Sequence, residues 1–131
     1  MKSCPCGSGK KYSSCCGLFI DENQLPATPE ELMRSRFTAY AESNIDYIQR
    51  TMKGPAAVGF DADALLKRAK KIKWTRLDVI ASRSDSPDKG FVEFRAYYSR
   101  KNTTYSLHEI SEFHRENGRW YYVDGEYPDE V

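Results

Sequence analysis

TYSLHEISEFHRENGRWYYVDG, residues 104–125, is the stretch that decides the fold. Asn117-Gly118 splits it into two runs rich in aromatic and β-branched residues, and Asn-Gly between alternating runs is the strongest short-range hairpin signal. Working back from that turn, WTRLDVIASRSD (74–85) and GFVEFRAYYSR (90–100) have the same character, with breaks at Pro87-Asp88-Lys89-Gly90 and Lys101-Asn102. The pattern predicts a meander of four long antiparallel strands. Alternation along the third strand puts Tyr105, Leu107, Glu109, Ser111 and Phe113 on one face and Ser106, His108, Ile110, Glu112 and His114 on the other.

Upstream of Trp74 the apolar period is helical. Thr28 suits an N-cap, Pro29 the first helical position, and Glu30 and Glu31 the positive end of the helix dipole, with Leu32, Met33, Phe37 and Tyr40 on one stripe. A second helix carries Ile45, Tyr47, Ile48 and Met52 as far as Gly54-Pro55. A third, from Asp61 to about Ile72, is expected to turn Leu65, Leu66, Ala69 and Ile72 inward and Lys67, Arg68, Lys70, Lys71 and Lys73 outward. Helices followed by a run of strands predict an α+β domain, with the helices packed on one face of a curved antiparallel sheet.

The 131 residues suffice for one domain with a small appendage. A net charge of +1, with 30% charged and 13% aromatic residues, is that of a folded globular chain rather than a disordered one or a strong nucleic-acid binder. No run approaches the roughly 18 apolar residues of a membrane helix, and the N-terminus lacks the apolar core of a signal peptide. The expected compartment is the cytoplasm.

All four cysteines lie in MKSCPCGSGKKYSSCCG, as Cys4-x-Cys6, eight residues, then adjacent Cys15 and Cys16. In a reducing compartment clustered thiols read as metal ligands or redox groups before disulfides. Four thiolates complete the tetrahedral shell of a zinc ion and leave no open position, which predicts a structural site. Pro5 stiffens the first pair, Gly7 and Gly9 allow a tight turn with N–H groups aimed at sulfur, and Lys10 and Lys11 offset the negative charge. A phosphate-binding loop fails here, because it needs glycine at Cys4 and Ser or Thr at Lys11. A redox dithiol leaves the other thiols unexplained.

CPCGSGKKYSSCCG resembles the SEC-C motif, the zinc-binding module at the C-terminus of the SecA translocation ATPase and on many bacterial proteins. There the last ligand is typically histidine, so Cys16 departs from that form but keeps a competent donor. The SecA module docks on the chaperone SecB and contacts phospholipid; nothing else here resembles SecA, so those partners are not implied. PEELMRSRFTAYAESNIDYI, GFVEFRAYYSR and LHEISEFHRENGRWYYVDG are similar to the YchJ family, which joins a SEC-C motif to a nuclear transport factor 2-like (cystatin-like) domain. The resemblance implies a zinc knuckle over residues 1–20, and over residues 21–131 a domain whose sheet wraps helices around a cone-shaped pocket.

Candidate pocket residues are the polar ones set in apolar patterns: Arg34, Arg36, Tyr40, His108, Glu109 and Ser111. If the face of Leu107 and Phe113 is the inner one, Glu109 is a buried carboxylate that needs a partner, and Arg34 or Arg36 are the obvious ones. His108 and His114 read as solvated surface histidines rather than a second metal site. The segment KRAKKIKWTR (67–76) carries six positive charges with Trp74 beside them and could bind nucleic acid or an acidic partner, but it reads rather as a solvated face balanced by acids elsewhere, among them Asp21, Glu22, Glu30, Glu31, Asp124, Glu126, Asp129 and Glu130, because phosphate binding usually needs a larger positive excess. Two functions are expected to compete. One is an interaction protein that docks a protein partner through the zinc knuckle, its pocket structural or holding a small ligand. The other is a pocket enzyme using Glu109 with His108 or Arg36 for acid–base chemistry. Similar domains often dimerise through the outer sheet face, which makes a homodimer a further candidate.

Overall fold

The structure, a computed structural model, describes residues 3–128, so Asp129 and Glu130 lie outside it. A 3-10 turn (Tyr12–Ser14) leads into α1 (Cys16–Ile20), followed by α2 (Pro29–Ala41), α3 (Ile45–Arg50), a second 3-10 turn (Gly54–Ala56) and α4 (Ala62–Ala69). Four strands complete the chain: β1 (Lys73–Ser86), β2 (Lys89–Arg100), β3 (Thr103–Glu116) and β4 (Arg119–Glu126). They form one antiparallel sheet in the order β1-β2-β3-β4. The last two hairpins turn through paired positive φ angles, 50° and 66° at Lys101 and Asn102, 53° and 79° at Asn117 and Gly118. Such mirror-image turns match the right-handed twist of the strands. Three breaks of register in β1 bend the sheet, and α2 lies in its concave face.

The start of α2 follows its sequence. Thr28 accepts from the Glu31 amide at 3.1 Å, and the Glu31 carboxylate accepts from the Ala27 amide at 2.7 Å, so two orphan donors are satisfied. Thr28→Ala is expected to lower unfolding free energy by about 1 kcal/mol in urea denaturation. Leu32, Phe37, Ile48, Val92, Phe113 and Trp120 fill the core.

Two helical expectations need correction. The second helix stops at Arg50: the Thr51 hydroxyl donates to the Tyr47 carbonyl at 2.7 Å, and Met52 leaves the helix to bridge Tyr122 in parallel. The third stops at Ala69 rather than Ile72, because Lys73 already belongs to β1. Leu66 is 42% exposed, and Leu65, Ala69 and Ile72 are only half-buried, so α4 rides on the edge of the core. No helix among the described residues is long and apolar enough to cross a membrane.

Candidate metal centre and cavity

The first cysteine pair sits on a miniature hairpin, closed by a Ser3–Lys11 bridge and by the Cys4 amide donating to the Lys10 carbonyl at 2.8 Å. Gly7 turns it with φ 81°, and the 3-10 turn then delivers Cys15 and Cys16 to the same point. The four Sγ atoms all lie within 4.8 Å of one another, with Cys6 and Cys15 at 3.6 Å. Around an ion with metal–sulfur bonds of about 2.3 Å, tetrahedral sulfurs stand about 3.8 Å apart, so the four fit one ion. Cys4, Cys6 and Cys16 are buried, and Cys15 half-buried.

Electrostatics point the same way. The hydrogen bond from Cys16 pulls the Cys6 thiol down to about 4, while the same bond pushes Cys16 up and burial pushes Cys15 up. Four thiols this close cannot all ionise against one another, whereas a cation among them stabilises every thiolate. The Ser8 hydroxyl reaches Cys15 at 3.1 Å and the Thr38 hydroxyl reaches Cys4 at 3.7 Å, the outer partners that orient ligands. The cluster can hold a metal.

The amides and cations around it differ from expectation. The Gly7 amide donates to the Cys4 carbonyl at 3.2 Å, and it is the Ser8 amide that bonds Cys6. Arg34, rather than Lys10 or Lys11, is the cation fixed against the knuckle. Its Nη1 donates to the Cys6 carbonyl at 2.9 Å and its Nε to Glu30 at 3.0 Å. The knuckle is thereby sewn to α2, and Cys4, Cys6, Cys16 and Ile20 share one apolar cluster with Leu32, Phe37 and Ile48.

On the other flank of α2 a cavity of about 180 Å³ opens between helix and sheet. Met33, Phe37, Tyr40, Trp74, Phe94 and Leu107 make apolar and aromatic walls, and Arg68 and Tyr127, both exposed, stand in its lining. Glu109, 6% exposed, supplies its carboxylate, whose Oε2 accepts from Ser111 at 2.7 Å and from Tyr122 at 2.8 Å. Burial, then the Glu109 charge, pushes the Tyr122 hydroxyl far up, so it stays protonated and donates. Arg36, also in the wall, donates Nη1 to the Ile48 carbonyl at 2.8 Å and to the Thr51 hydroxyl at 2.6 Å. Its guanidinium lies 4.7 Å from the centre of the Tyr122 ring, so Tyr122 stands between the arginine and the carboxylate. Burial lowers the Arg36 pKa, while the charges of Tyr40, Tyr122 and Glu109 oppose that shift.

Arg36, Tyr40, Glu109 and Ser111 are thus brought together; Arg34 and His108 are not. Arg34 is turned to the knuckle because it sits about a quarter turn off the apolar stripe. His108 lies on the outer sheet face, its Nε2 2.7 Å from the Glu93 carboxylate. Glu109 and His108 thus lie on opposite faces of β3, and the structure does not bring them together. His114 is likewise on the outer face, 2.6 Å from Glu112. Sequence reading missed Tyr122 and Gly125. The register running from the Asn117-Gly118 turn seats Tyr122 opposite Phe113, and a slip between Glu112 and Phe113 then places Gly125 opposite Ser111. A Cβ at Gly125 would collide with the Glu109 carboxylate and the Tyr122 hydroxyl. Gly125→Ala is expected to lose about 1–3 kcal/mol and to displace the Tyr122 ring resonances in NMR spectra.

A cysteine-knuckled nuclear transport factor 2-like domain is the class that this fold and site define. Residues 28–125 match the family described as YchJ, middle NTF2-like domain, and residues 2–18 match the SEC-C motif. The chain belongs to the YchJ family. It is 43% identical over 126 residues to a UPF0225 protein of Sodalis glossinidius, covering 93% of this chain and 81% of that one. The solution structure of a SEC-C motif containing protein from Rhodopseudomonas palustris is similar with a TM-score of 0.86 and 39% identity, over 95% of this chain and 97% of the other. A crystal structure of a SEC-C motif containing protein from Psychrobacter arcticus gives 0.81 and 28%, over 100% and 85%.

Proposed function

We propose that this is a small-molecule-binding domain held in shape by a structural zinc ion on Cys4, Cys6, Cys15 and Cys16. The observation that carries the reading is the buried carboxylate in the cavity wall, with Glu109 oriented by Ser111 and Tyr122 beneath aromatic walls. A few convergent polar groups in an apolar hollow are the usual form of a ligand site. At about 180 Å³ the cavity holds one six-membered ring with a small substituent, since a 150 Å³ apolar cavity takes benzene. Both hydrogen bonds converge on Oε2, so a ligand donor would address the carboxylate's other oxygen. The all-sulfur donor set suits zinc and closes its coordination, so the metal supplies folding energy and no reaction.

The test is an NMR titration of the zinc-loaded chain with single-ring amides, alcohols and amines. Shifts are expected at Tyr40, Trp74, Ser111 and Tyr122, with affinity lowered at least tenfold by Glu109→Gln. Shifts scattered over the surface, or unchanged by Glu109→Gln, would contradict the reading. Docking of a protein through the knuckle is the second reading, favoured by Lys10 and Lys11, which are both exposed. It predicts that Lys10→Glu with Lys11→Glu abolishes partner capture while zinc content and fold persist.

A further inference from the structure

Beside the cavity lies a second hollow of about 530 Å³, lined by Lys67, Arg68, Lys71, Arg100, Tyr98 and Tyr105. The four cations come from two separate places, α4 with the turn after it and the β2 end of a hairpin, and all four are exposed. Among the described residues none of the four forms an ion pair, although Arg34, Arg50, Lys53, Arg76, Arg83 and Arg115 each hold an acid. The chain's net charge of +1 conceals this segregation. Lys73 stands at the start of β1, opposite Ser99, and extends the patch.

Charge alone would suit any anion. The aromatic floor narrows the choice: the rings of Tyr98 and Tyr105 are stacked, centroids 5.4 Å apart and 21° from parallel, and Trp74 backs Tyr98 at 5.0 Å. Tyr105 is 45% exposed, so a planar face is offered to solvent between the cations. A positive groove with an exposed aromatic platform has the elements that hold a single strand of nucleic acid, phosphates on the cations and a base on the ring. We propose that this groove binds single-stranded nucleic acid without sequence preference, a role separate from the cavity, which shares only Arg68 with it.

The test is fluorescence anisotropy of the zinc-loaded full chain with labelled U12, dT12 and dA12 across a salt series. A Kd of about 10 μM at low salt is expected, with log K falling against log salt at a slope of about −2 to −3, as three or four phosphate contacts require. Tyr105→Ala is expected to weaken binding about fivefold to tenfold with the slope unchanged, and Lys67→Gln to reduce the slope by about 0.7. Lys89→Gln, at the opposite end of β2, leaves both unchanged. Binding of dA12 within a few-fold of dT12 supports a platform reading, and a large preference for either base overturns the absence of sequence preference. A Kd above 1 mM, binding indifferent to Tyr105→Ala, equal effects of Lys89→Gln and Lys67→Gln, or capture of phosphatidylserine vesicles without any of the oligonucleotides overturns the proposal.

Discussion

Replacing Cys16 by serine is expected to strip the protein of metal and most of its stability. Wild-type chain should carry about one zinc per molecule by elemental analysis, and Cys16→Ser well under half. Cys16 is 1% exposed and lies in the same apolar cluster as Leu32, Phe37 and Ile48, so the three remaining thiols would be left crowded in the core without a filled shell. Structural zinc in isolated fingers provides about 10–16 kcal/mol of binding energy at neutral pH, against a total stability of about 5–15 kcal/mol for a domain. Even a third of that is about 4 kcal/mol, or a fall in Tm of about 15 °C for a chain of this size. Full zinc occupancy in the variant would remove the four-ligand assignment.

Arg36→Met is the second large effect, with an expected loss of about 3 kcal/mol in urea denaturation although the side-chain volume is nearly kept. The variant takes the donor from the buried Ile48 carbonyl and the Thr51 hydroxyl, and the cation from behind the Tyr122 ring. Glu109 then remains at 6% exposure with Ser111 and Tyr122 as its side-chain hydrogen-bond partners among the described residues. Adding Glu109→Gln in the Arg36→Met background should therefore recover about 1 kcal/mol, whereas in the wild-type background it should destabilise. Simple additivity of the two substitutions would mean that arginine and carboxylate do not sense one another across Tyr122.

The elements were legible where local chemistry decides them. Thr28-Pro29 marks the start of α2, Asn117-Gly118 marks the last turn, and alternation from Tyr105 to Phe113 assigns Glu109 and Ser111 to the inner face. The partners were less legible, because they depend on distant segments. Arg34 meets the Cys6 carbonyl from 28 residues away, a contact that no spacing rule encodes. Tyr122 faces inward by the register that runs from the last turn, but Gly125 shares that face only because a bulge interrupts the β3–β4 alternation, and strict alternation would separate the two. Leu66 was misplaced because the helical stripe says which side is apolar, not whether the core extends far enough to cover it.

The two flanks of α2 connect knuckle and cavity physically. Arg34 and Thr38 grip the cysteine loop while Arg36, Phe37 and Tyr40 line the hollow, and Arg50 adds a tie to the Ile20 carbonyl at 3.4 Å. Loss of the metal should therefore be felt through the helix and not at the knuckle alone.

Amide NMR spectra of the zinc-loaded chain before and after chelation test that coupling most directly. Chelation is predicted to shift or broaden the amides of α2, including Arg36 and Tyr40, and those of Ser111 and Tyr122 across the cavity, together with the knuckle. Changes confined to residues 3–20, with the cavity amides in place, would contradict it and show the knuckle to be an independent appendage.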